Sequence, residues 1–125
     1  MPSVPKQPKL RNQCTLTQHW KAERDAARQA RSIGNHAVEW VHLERAHILS
    51  QPMAVAHVRT HLVMLAFAIR RHDRREITGQ LIRTIVAGPG SAMRRYPLGN
   101  TGGANVSAVA PMPIPDDLRG VVGAA

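Results

Sequence analysis

The stretch LERAHILSQPMAVAHVRTH, residues 43–61, sets one carboxylate, Glu44, and three of the chain's seven histidines, His47, His57 and His61, on either side of a proline. Neutral imidazole nitrogens with a carboxylate oxygen are a donor set for zinc, iron, manganese, nickel or copper rather than for calcium or magnesium, which take oxygen ligands. Glu44 and His47 are three apart and His57 and His61 are four apart. At those spacings two side chains share one face of a helix and can reach one ion. In an antiparallel hairpin bent near Gln51 the two pairs differ in height by roughly 3 to 5 Å, at a rise of about 1.5 Å per residue. The spacing therefore predicts one divalent transition metal held by Glu44, His47, His57 and His61, with room for a water or a substrate.

The same stripes run on to His36 in one direction and His72 in the other, too far along for the same ion, which marks them as outer partners of the ligands or as a second site. Arg59, beside the histidine pair, and the Asn100, Thr101 and Asn105 of the run NTGGAN are candidates to hold a small anionic ligand, by charge and by a concave set of backbone amides. The alternative for the histidines is that they cap and pack helices, which would make the chain a helical-pair interaction module without metal.

Positioning these residues requires helices. Thr17 is a candidate cap for a first helix that Gly34 stops, and Asn35 for a second, about residues 36–49. Pro52 breaks the chain before a third, about 53–72, in which Val58, Leu62, Leu65 and Ile69 recur at the helical period. Asp73 and Glu76 have capping-box form ahead of a fourth, about 74–87, with Ile77, Leu81 and Ile85 on one side and Gly88-Pro89-Gly90 at its end. The expected fold is all-α: four helices as two antiparallel hairpins, tetratricopeptide-like pairs or a small bundle. Residues 1–14 read as a flexible basic arm, 15–88 as the helical domain and 89–125 as a long irregular Gly/Pro-rich strap. Tyr96, Leu98, Val106, Val109, Met112, Ile114 and Leu118 would pin that strap across the helices.

Composition sets limits on the partners. At 125 residues with 43% hydrophobic content the chain fits one small domain with a modest core. Its net charge of +9 comes from 17 Lys and Arg spread along the chain, with one Phe, one Tyr and two Trp, too few rings for base stacking, so no nucleic-acid module is indicated. One cysteine, Cys14, excludes an internal disulfide and a Cys-only zinc site. No apolar run approaches the length of a membrane span, and the reading is of a cytoplasmic protein.

The segments LERAHILSQP, HVRTH, RRHDRREITGQLIR and RYPLGNTGGANVSAVAPMPIPDDL resemble a family of small bacterial proteins known only as a domain of unknown function, whose members are often encoded near heavy-metal resistance genes. The similarity covers about Glu39 to Leu118. It implies shared motifs at Glu44, His47, His57, His61 and His72 and in the strap, in agreement with the spacing argument, and leaves Cys14 at the margin. Two functions follow as expectations: a metal-binding buffer, carrier or accessory factor, or a small metalloenzyme in which the strap closes over a substrate.

Overall fold

The computed structural model describes residues 8–93, 97–107 and 110–123. These form five helices and no strand: α1 (Pro8–Ser32), α2 (His36–Ser50), α3 (Ala54–Arg70), α4 (Arg74–Ala92) and α5 (Asp116–Val122). Two of the expected caps are in place. The Asn35 side chain accepts from the Val38 amide at 3.2 Å and that of Asp73 from the Glu76 amide at 3.0 Å. Each satisfies a donor that a helix start leaves open.

Two boundaries differ from expectation. α1 begins at Pro8, so residues 8–14 of the expected arm are helical, because proline is well suited to a first turn and Thr17 sits in the helix interior. α4 continues through Gly88-Pro89-Gly90 to Ala92. Proline interrupts the ladder locally, and the helix resumes with Met93 N–H donating to Pro89 O at 3.0 Å.

α1 packs along α2, α2 along α3 and α3 along α4. The runs are antiparallel. Glu23 on α1 meets His42 and Arg45 on α2, Glu39 on α2 meets Arg70 at the far end of α3, and His61 on α3 meets Gln80 on α4. Leu16, Trp20, Ala46, Ile48, Leu49 and Ala56 make one core cluster. Ala27, Leu43 and Met64 make a second, against Trp40, Val63 and Phe67. The buried Trp20 indole donates to Thr60 Oγ1 at 2.9 Å, tying α1 to α3.

The C-terminal segment contains a helix that composition did not indicate. α5 starts after Pro115, with Asp116 and Asp117 in its first turn, where carboxylates favour the helix N-terminus. It buries Leu118 and Val122 in the first core cluster, with Ile114 beside them. Arg45 bridges Glu23 and Asp117, joining α1, α2 and α5. Of the expected pins, Val106, Met112 and Ile114 are half-buried and Leu98 is exposed; Tyr96 and Val109 lie outside the described residues.

α3 and α4 depart from the expected faces. Of the predicted apolar stripes Leu62, Ile69, Leu81 and Ile85 lie outside and Val58, Leu65 and Ile77 are half-buried, while the two helices bury Thr60, His57, His61, Glu76 and Gln80 together with Met64, Ala68 and Ala87. A polar interior is stable only where its groups bond to one another. They do so around three histidines.

Candidate metal centre

His47 comes from α2 and His57 and His61 from α3, and all three are buried. Their Nε2 atoms form a nearly equilateral triangle: 3.0 Å from His47 to His61, 3.0 Å from His47 to His57 and 3.2 Å between His57 and His61. The other ring nitrogens point away from the triangle. His47 Nδ1 lies 2.6 Å from the backbone carbonyl of Asn100, and His61 Nδ1 lies 2.6 Å from Gln80 Oε1. The His57 ring is held by the backbone carbonyl of Ala87, and with its Nε2 in the triangle that bond falls to Nδ1.

These partners decide the tautomers. A carbonyl oxygen only accepts, so His47 Nδ1 and His57 Nδ1 carry the protons. Gln80 Nε2 donates to Glu76 Oε1 at 2.6 Å and to Gly102 O at 2.7 Å, which turns its Oε1 toward His61 and makes His61 Nδ1 a donor as well. Three bare lone pairs then converge. The three Nε2 atoms are close enough together that all could hold one ion at the usual zinc–imidazole distance of about 2.0 to 2.1 Å. The donor set and its spacing fit such an ion.

Burial is the main reason these imidazoles stay neutral. It lowers His47 well below the usual histidine value, with His61 and His57 adding to the effect and the Asn100 carbonyl opposing it. It brings His57 down to about 3, helped by His61, and His61 to about 4, against the opposing bond to Gln80. A neutral imidazole is the form that ligates.

Glu44 does not join the triad. Its half-buried carboxyl is raised above the usual range by burial, while the Thr101 hydroxyl beside it favours the ionised form. Three positions along a helix is a turn of about 300°, so Glu44 sits some 60° round from His47 and faces the strap. His36 and His72 lie about 16 Å along their helices from His47 and His61. Both are exposed, His36 at the start of α2 and His72 in the α3–α4 turn at a positive φ of 55°. Neither orients a ligand.

Arg59 is also elsewhere, exposed on a cleft between α1 and α3 with Trp20, Arg24 and Arg28. Asn105 is exposed beside Trp40 and Phe67. Asn100 does belong to the centre, though not as an anion holder. Its amide donates to Ser107 O at 2.6 Å and Ala110 O at 2.8 Å and accepts from Gly102 N–H at 2.9 Å, so its side chain folds the strap while its carbonyl orients His47. Gly102, at φ +83°, lies flat on the His47 ring, where a Cβ would come within 2.6 to 2.8 Å of ring atoms.

Gln80, Glu76, Ala87 and Arg83 are the parts of the centre that sequence reading missed. Gln80 and Glu76 are four apart on α4, on the side opposite the apolar stripe, which reads as a solvated face. Glu76 accepts the Ala104 amide at 3.0 and 2.8 Å through its two oxygens, so one carboxylate anchors both Gln80 and the strap. Arg83 donates to the carbonyls of Gly103 and Val106. The triangle borders an open cleft of about 1020 Å³ between the second half of α4 and the strap.

No helix among the described residues is long and apolar enough to cross a membrane. No curated protein and no solved structure matches the chain. A family model described as a protein of unknown function matches residues 14–122, which takes in most of α1 as well as the motif-bearing segments. The chain with its buried histidine triad therefore belongs to the DUF3703 family.

Proposed function

We propose that this protein binds one divalent transition-metal ion through the Nε2 atoms of His47, His57 and His61 and keeps a further coordination position open, as a metal buffer, carrier or accessory factor. One observation carries the reading: three buried imidazoles, each with its Nδ1 proton committed to an oxygen, turn bare lone pairs toward a common point. Such an arrangement is repulsive when empty. A cation removes the repulsion, and the Nδ1 bonds are the kind that fix ligand orientation and raise basicity in metal centres. Zinc, iron, manganese, nickel and copper all accept neutral nitrogen donors.

A second reading, a metalloenzyme built on the same ion, is favoured by the cleft that borders the histidines, since an open position at a cleft admits a substrate.

The test is metal-dependent stability. With free metal at about 100 times the dissociation constant, the folded protein gains about 2.7 kcal/mol, of order ten degrees in melting temperature for a domain of this size. His47→Ala, His57→Ala and His61→Ala each abolish the increment, whereas His19→Ala and Glu44→Ala retain it. An increment that survives His61→Ala, or no increment with any of the five metals, rejects the reading and leaves histidines that pack a helical module.

A further inference from the structure

We propose that the cleft beside the histidine triad binds an amphiphilic anion: an anionic head group that completes the coordination of the ion, carried on an apolar body lying against α4 and the strap. The inference rests on the metal reading above and adds the class of ligand.

The lining combines polar and apolar side chains. Its polar members, the three histidines with Gln51, Arg83 and Asn100, accompany Ile85, Val86, Ala87, three prolines, Met93 and Leu98. The amides of Gln51 and Asn100 are already bonded to the strap, Gln51 to Pro97 O and the Gly99 amide, Asn100 to Ser107 and Ala110. What they offer a ligand is shape. The aliphatic members stand open, with Ile85 76%, Val86 56% and Met93 60% exposed. Large side chains left in water along a concave wall mark a binding surface for apolar matter.

Charge fixes the other end. Three neutral imidazoles bring no negative charge to a dication, and no Asp or Glu is among the described lining residues. Arg83 adds a positive charge, and its guanidinium bonds to two carbonyls, which do not cancel that charge, while Glu76 offsets it in part. An incoming head group meets a dication whose ligands carry no charge and the Arg83 guanidinium, with the Glu76 carboxylate set back behind Gln80 and the strap, so an anionic oxygen or sulfur donor is favoured over a neutral one. A cleft of about 1020 Å³ is far larger than an inorganic anion needs and suits a medium-length acyl or aryl body.

Titration of the full-length Co(II)-loaded protein with acetohydroxamate and octanohydroxamate, followed by visible absorption, tests the proposal. The two probes share a head and differ only in the apolar body. Burying a methylene gains roughly fourfold in affinity, so octanohydroxamate should bind at least about 100-fold more tightly. Val86→Asp, at a position 56% exposed, should erase that preference and leave the Co(II) spectrum without hydroxamate unchanged. Bound Co(II) with equal affinity for both probes overturns this inference alone, as does a preference that survives Val86→Asp. Failure to bind Co(II) at all overturns the metal reading and this inference together.

Discussion

His47, His57 and His61 illustrate how burial and hydrogen bonding set a donor's state before any ion arrives. Each ring is desolvated, which disfavours its protonated form, and each keeps its one proton on the side of an oxygen acceptor. A measurable pH dependence follows in the metal-free protein. In the unfolded chain these imidazoles titrate near the ordinary value of about 6.5; in the folded chain His57 and His61 titrate near 3 and 4 and His47 also far lower. Below about pH 6.5 the unfolded state therefore binds more protons, and stability is lost as pH falls toward 4. The loss is about 1 kcal/mol per histidine per pH unit. Urea unfolding at pH 7, 6 and 5 measures it, and His57→Gln should give a shallower slope. A stability independent of pH across that window would mean that the triad is hydrated.

At the scale of elements, α4 shows why amphipathicity misleads when the interior is polar. Its inward face carries Glu76, Gln80 and half-buried Arg83, and its outward face carries Leu81, Ile82, Ile85 and Val86. Neighbouring substitutions should behave oppositely to the hydrophobic rule. Gln80→Leu leaves the Gly102 carbonyl and the His61 Nδ1 proton without their bonds and Glu76 with the Ala104 amide alone, and should cost about 2 kcal/mol or more in chemical denaturation as well as weakening metal binding. Leu81→Gln, half exposed, should change stability by less than about 0.5 kcal/mol. Equal effects would refute the orientation of the helix.

Taken as a whole, the molecule is held closed from two ends. The strap brings Asn100, Gly102 and Ala104 onto the histidine centre, and α5 then returns to the opposite cluster beside Leu16 and Trp20. Leu118 is 2% exposed in that cluster, and Leu118→Ala should destabilise by about 2 to 4 kcal/mol. Because the strap supplies the His47 acceptor, the same variant should also reduce the metal-dependent rise in melting temperature. Loss of stability with the metal increment intact would show that α5 and the centre are independent.

Local chemistry determined much of this in the sequence itself. Gly34, Asn35, Pro52 and Asp73 delimit helices by backbone and capping effects that act within a few residues, and the positions of His47, His57 and His61 about a tight turn predict that two helices share them. Whether Glu44, His36 and His72 meet those histidines was beyond that reach. Spacing gives the face of a side chain only to within a turn of the helix, and the strap occupies the face that Glu44 takes. Gln80, Ala87 and Asn100, which hold the three imidazole protons, lie 19, 30 and 53 residues from their partners. Such pairings have no local signature, because they arise when α4 turns its polar side inward and the strap crosses α2. Tertiary packing decided the site: it made a buried histidine triangle the best-satisfied arrangement and left the aliphatic faces of α3 and α4 outside.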